Sequence, residues 1–376
     1  MAVIPPIPAK GWKTFRLADG QWENRDLYAR DDRVETPFFS VQLNEAGQFV
    51  SIYDKKNKRE VIPAGTVGNR LVTYEDRPYN FDAWDINNYY TEKSWPLDEA
   101  ASMEVVEEGP VRLCIKVHRT YLNSVIDQYL YFYRDLARID IRNEIDWKEK
   151  QILMRVYYPV DVHTNEATYE IQYGNVKRPT HYNTSWDFAK FEVCAHKWLD
   201  VSEQDYGVGL MNDCKYGYSV HDGVIGCTML KSAVYPNPDA DKEHHTFWYS
   251  LCPHQGGFEQ AGMVAQSYLF NNPCVAVEKQ NQGGTLPPTA SWITADDPNV
   301  VIEVVKQAED SEDMIVRLYQ SLNRRSEVKL TTGFALKRAA RCTMLEQEEA
   351  ELAVEQNQMT LSLKPFEIVT LKLVRQ

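Results

Sequence analysis

The densest group of side chains able to do chemistry is DRPYNFDAWDINNYY, Asp76 to Tyr90, which gathers Tyr79, Asp82, Trp84, Asp85, Asn87, Tyr89 and Tyr90 into one irregular stretch. Carboxylates and amides that meet hydroxyl groups, beside an aromatic face that meets a ring, are the parts of a sugar site. An ordinary aromatic-rich loop anchored on a sheet would read the same way. A second group, KRPTHYNTSWDFAKFEVCAHKW, holds His181, Asn183, Trp186, Asp187, His196 and Trp198 and reads equally as strand edges and turns. A third, LKSAVYPNPDADKEHH, reads as a long exposed loop carrying Lys231, Tyr235, Asp239 and Asp241.

Other chemistries find no spelling. The eight histidines show no HxH, HxD or HExxH spacing, so no metal site is expected within the chain. Neither a GxSxG elbow nor a GxxxxGK[ST] loop occurs, which leaves acyl and phosphoryl transfer without support. Glycoside hydrolysis needs two carboxylates about 5 to 10 Å apart, and the sequence does not say which of its many pairs converge. The seven cysteines are odd in number and scattered, reading as reduced and partly buried thiols.

Positioning these groups falls to short strands. Runs rich in Val, Ile, Thr, Tyr and Phe recur between turn signals, at 38–43, 48–53, 111–122, 127–133, 138–145, 152–158 and 168–173, and the fold class is all-β. In RIDIRNEIDW, Ile139, Ile141 and Ile145 largely alternate with charged residues, as a strand with one apolar face requires. Turns fall at Asn44 to Gln48, Asp54 to Lys58 and Asp222-Gly223. Between about 271 and 290, Gly, Pro, Asn and Gln accumulate, predicting a crossing linker. The domains are therefore expected at 31–270 (a large sandwich) and 291–376 (a small one with five strand-like runs), with 1–30 as the closing strand of a preceding small β domain.

The balance of 41 basic against 54 acidic residues, a formal charge of −13, disfavours nucleic acid and anionic lipid as partners. No run approaches the ~20 apolar residues of a membrane helix, and the start lacks a signal-peptide core, so the chain reads as cytoplasmic.

The same segments, in order, resemble the C-terminal half of glycoside hydrolase family 38 α-mannosidases, most closely the cytosolic and bacterial branch. IPAKGWKTFRL resembles a strand closing a small β domain, and NFDAWDI an early loop on the active-site side. The block from RPTHYNTSWDF through LKSAVYPNPDAD resembles the family's longest shared segment, while LYQSLNRRSEVKL and LKPFEIVTLKL resemble its terminal sandwich. The resemblance implies a galactose-mutarotase-like sandwich plus a smaller C-terminal one. It also implies an α-mannoside substrate, and an upstream domain that supplies zinc, nucleophile and proton donor and has no counterpart here. It assigns no catalytic residue to this chain. The substrate-binding candidates are Asp82, Trp84, Asp85, Trp186 and Lys231, and a homo-oligomer is compatible with all of this. Two other readings stand beside it: a sugar 1-epimerase using His181 with Glu170 or His196 with Glu192, and a non-catalytic carbohydrate-binding module.

Overall fold

The computed structural model describes residues 7–16, 26–278 and 283–376. Strands dominate, and the chain divides into two compact units. One takes in 26–170 and 176–272; the other takes in 7–16, 171–175, 273–278 and 283–376. No helix is long and apolar enough to cross a membrane.

Three sheets build the first unit. The nine-stranded sheet runs in the order 174–179, 166–171, 198–202, 206–212, 244–255, 139–146, 124–133, 112–121 and 102–108. A six-stranded sheet follows the order 193–194, 217–221, 224–231, 152–159, 70–75 and 94–96, and a five-stranded meander covers 28–60. Period-two patterning decides which side chains go inside. In Ile139–Asp146 the three isoleucines are fully buried, and they join Phe132, Val156, Tyr158, Ile225 and Leu251 in one core. The predicted hairpin at Asp222-Gly223 forms: both residues have positive φ, 48° and 72°, and join Gly217–His221 to Val224–Lys231, as a primed turn requires.

Inside that core lies a closed polar network. Tyr158 OH and Tyr249 OH donate to Asn69 Oδ1 at 3.0 and 2.7 Å, and Gln128 Nε2 donates to Asn143 Oδ1 at 3.0 Å and reaches Tyr249 OH at 2.9 Å. Mutual satisfaction is what makes such burial tolerable.

The second unit packs a three-stranded sheet (293–295, 326–332, 358–363) and a five-stranded one (300–307, 314–320, 368–375, 336–342, 348–352) around Val316, Leu330, Leu361 and Leu371. The strand Gly11–Lys13 pairs with Thr289–Ser291, Trp12 facing Ala290. Leu17 of that opening run, and 279–282 of the expected crossing linker, lie outside the described residues. Residue 271 of the linker is the last residue of helix Met263–Asn271.

Candidate functional site

The six-stranded sheet has two different faces. Leu71, Met154, Val156, Tyr158, Tyr218, Ile225 and Cys227 point into the main core. Their alternates Val72, Tyr74, Leu153 and Tyr157 point outward and are covered by Ile86 and Tyr90 of the aromatic stretch and by Phe191. The covering loops therefore sit on an apolar patch of their own.

Arg155 stands in the middle of this outer face and is 1% exposed. Its Nη1 donates to Tyr90 OH at 2.5 Å and Tyr157 OH at 3.3 Å, its Nη2 donates to Ser219 Oγ at 2.9 Å, and Glu192 Oε2 lies 3.8 Å away. Burial alone would lower the guanidinium's pKa, but Tyr157, Glu192 and Tyr90 outweigh it and hold the cation firmly charged. Glu192 Oε1 accepts from Thr228 Oγ1 at 2.8 Å. Two glycines make this approach feasible. A Cβ on Gly217 would lie 2.0 Å from Glu192 Oε1, and one on Gly226 would lie 2.8 Å from Ser219 Oγ and 3.1 Å from Arg155 Nη2.

Beside this group, Asp76 pairs with Lys231. Burial raises the Asp76 carboxyl above its ordinary range, Lys231 opposes that, and nearby Asp82 and Glu192 add to it. Among the described residues, Asp76 Oδ1, Asp82 Oδ1 and Glu192 Oε2 are buried oxygens without a hydrogen-bond partner. Asp82 Oδ2 is employed differently, accepting from Val234 N at 2.7 Å and Tyr235 N at 3.2 Å. The aromatic stretch is thereby stitched to the loop after Lys231. Asn87 Oδ1 holds the stretch from within, accepting from Tyr79 N at 2.8 Å and Tyr89 OH at 3.0 Å.

Above these anchored bases the rings stand free. Tyr79 is 86% exposed, Trp84 70%, Trp186 81% and Tyr235 67%, and Phe81 and Phe188 are also exposed. Trp84 is fixed through its backbone, Trp84 N donating to Phe81 O at 2.8 Å, and it fills no core. Trp186 rides on a four-residue helix whose Thr184–Asp187 capping box defines its start.

The five candidate residues thus differ in what they do. Asp82 is an anchor, Trp84, Asp85 and Trp186 are exposed, and Lys231 is engaged by Asp76. Arg155, Ser219 and Thr228 were not singled out from the sequence, and Glu192 was named only as a base for His196. The available signal was an arginine between Met154 and Val156 in an apolar strand, since a buried cation needs partners. The drafted acid–base pairs are corrected by the geometry: His196 Nδ1 lies 3.6 Å from Glu170, His181 Nδ1 lies 3.7 Å from Asp187, and Glu192 is bound to Thr228. For metal, Asp241, Glu243 and His245 come together on an exposed segment. His245 Nε2 meets the Asp241 carbonyl oxygen at 2.7 Å, which leaves Nδ1 as the ring nitrogen that could serve as a ligand.

Comparison with known proteins bears on this surface. The Glycosyl hydrolases family 38 C-terminal domain matches residues 34–239, and the family's C-terminal beta sandwich domain matches 299–371. Alpha-mannosidase 2C1 of Homo sapiens is 35% identical over 355 residues, covering 91% of this chain and 34% of its own length. Alpha-mannosidase G of Dictyostelium discoideum is 33% identical over 354 residues, covering 92% of this chain and 32% of its own. The chain therefore spans about a third of the length of these curated relatives. A family 38 protein from Enterococcus faecalis shares the fold, with a TM-score of 0.77 at 18% identity, over 95% of this chain and 46% of the other.

Proposed function

This chain belongs to glycosyl hydrolase family 38, in its C-terminal β region, and from that premise we propose that the outer face of its six-stranded sheet forms part of the rim of an α-mannoside site. The reaction would be retaining hydrolysis of an α-mannosidic bond. The nucleophile, the proton donor and a zinc ion gripping sugar hydroxyls would come from an upstream catalytic domain, and this chain would supply rim and scaffold.

What carries the reading is one arrangement: exposed rings of Tyr79, Trp84 and Tyr235 on loops cross-linked through Asp82 and Asn87, beside Trp186 on its capped helical turn. Rings on fixed bases present a stacking surface at little entropic cost, which is what positioning a pyranose requires. Trp84 would stack on the sugar or on the docked domain beside it, with Asp85 at the rim reaching hydroxyls. Trp186 would serve the same function from the second loop. Asp82 and the Asp76–Lys231 pair would hold the two loops in register, so Lys231 acts on substrate through loop position. The seven free thiols fit a reducing compartment, and we place the enzyme in the cytoplasm.

The test uses the complete enzyme and this chain in parallel. Trp84→Ala is expected to lower kcat/KM on an aryl α-mannoside by about 10- to 100-fold, the loss of a positioning contact, while the melting temperature stays near wild type. The chain alone is expected to release no sugar. A melting temperature that collapses in Trp84→Ala, or turnover by the repurified chain, would overturn the reading.

A further inference from the structure

A second cleft opens on the first unit, at the outer face of the nine-stranded sheet. It has a volume of about 570 Å³, within the range of small-ligand sites, roughly 300 to 1,000 Å³. Its distinctive wall residue is His254, at the end of strand His244–Gln255. His254 Nε2 lies 2.7 Å from Asp200 Oδ2, and both side chains are nine-tenths or more buried. Ser202 Oγ donates to the other Asp200 oxygen. The ring lies over Gly207, where a Cβ would come within 2.4 Å of His254 Cε1. With Nε2 turned to Asp200, Nδ1 is the ring nitrogen left over. Among the described residues that Nδ1 is buried and has no partner. A ring nitrogen so left can meet a hydroxyl group, which both donates and accepts.

The remaining wall specifies the ligand. Gln260 Oε1 accepts from Gly257 N at 2.9 Å, leaving its amide N–H groups to donate, whereas Gln266 Nε2 donates to Ala261 O at 2.7 Å, leaving its oxygen to accept. Asn57 is oriented by Asp54, its N and Nδ2 donating to the carboxylate at 2.9 and 2.8 Å. Amides that each offer one free half suit hydroxyl groups, which donate and accept at once. Charge argues the same way: among the described residues Lys56 is the only lysine or arginine lining the cleft, against Asp54 and Asp205, so a phosphate or carboxylate would meet net repulsion. Phe38 adds an apolar face.

We infer that the cleft formed by His254, Asn57, Gln260 and Gln266 is a binding site for a neutral polyhydroxylated molecule, a free monosaccharide or one sugar of a longer glycan. It is separate from the aromatic rim, which lies on the outer face of the other sheet. The inference is of binding, with no reaction assigned to the cleft.

The probe is D-mannose added to the full chain, read by the ¹⁵N shift of His254 Nδ1. A shift saturating below about 50 mM is expected, because a lone sugar binds in the millimolar range, and inorganic phosphate should produce none. Ala137→Trp, which puts a ring on an exposed wall position, should weaken the response at least tenfold. Gln204→Ala and Gln260→Ala, both at exposed positions of the cleft wall, should weaken it severalfold with melting temperatures near wild type. Trp84→Ala should leave it unchanged, which separates this site from the rim. No shift with mannose, a stronger response to phosphate, or a mannose response untouched by Ala137→Trp and both glutamine variants would each overturn the assignment.

Discussion

Asp82 and Trp84 are two residues apart and have opposite roles. One carboxylate oxygen of Asp82 ties two loops through the N–H groups of Val234 and Tyr235, while Trp84 projects away from everything the loop packs on. Hydrogen bonds to a charged acceptor contribute about 1.5 to 3 kcal/mol, and a partly buried pair sits at the lower end. Asp82→Ala is therefore expected to destabilise the chain by about 1 to 3 kcal/mol, visible as a lower midpoint in urea, whereas Trp84→Ala should move it by less than about 0.5 kcal/mol. Equal midpoints for the two variants would mean that Asp82 does not anchor the rim. The sequence showed where these residues cluster because aromatic and acidic side chains crowd a segment without strand periodicity. It could not show which would be anchors, since that depends on Val234 and Tyr235, some 150 positions away. Arg155 is the sharper case. Besides Tyr157 on its own strand, its partners are Tyr90 and Ser219, more than 60 positions away in either direction, and only the fold brings them together.

Strands were legible where one face is apolar and turns are marked, as in Ile139–Asp146 and Ile152–Pro159. Leu336–Cys342 and Glu348–Leu352 escaped notice. LKRAARC buries Leu336, Ala339, Ala340 and Cys342, with alanine of low β-propensity at two of the four positions, and EEAEL is an edge strand with almost nothing buried. Their strand state is imposed by pairing with Ile368–Arg375 and with each other. The same dependence on neighbours governs Gly226 in Val224–Lys231. A methyl there would meet Ser219 Oγ at 2.8 Å, Tyr157 Cε1 at 2.9 Å and Arg155 Nη2 at 3.1 Å, and overpacking of this kind costs about 1 to 3 kcal/mol. Gly226→Ala is expected to lower the melting temperature and, in the complete enzyme, to raise KM, because the strand carries the floor beneath the Tyr90 loop. Gly223→Ala, at a turn with positive φ, should cost comparable stability with KM unchanged. If both variants shift only stability, the outer face does not communicate with the rim.

Across the whole molecule, pH acts through carboxylates that both compact units hold below their ordinary range. Burial would raise Glu35 and Glu203, but Lys55 and Ser40 for the first, and His163 N–H and Arg59 for the second, bring them down; for Asp98 the Arg70 hydrogen bond leads. In the second unit, burial of Asp297 and Glu367 is likewise outweighed by the N–H groups of Asn299 and Lys364 and by Arg324 and Arg341. A depressed carboxyl binds fewer protons folded than unfolded, so its contribution is present above the unfolded pKa, about 4, and is lost as pH falls through the lower folded value. Asp76 has the opposite sign: its raised pKa favours the folded state below the unfolded value, and that contribution is lost as pH rises through the folded one. Five groups against one set the net direction. The melting temperature should be flat from about pH 8 to 5 and fall steeply below about pH 4, and Asp76→Asn should leave the position of that acid limb unchanged. Scanning calorimetry across pH 3 to 8 measures this, and a melting temperature that holds steady down to pH 3 would show that these ion pairs contribute nothing to folding. Because depressed carboxylates occur in both units, two calorimetric transitions, if resolved, should both move down with acid.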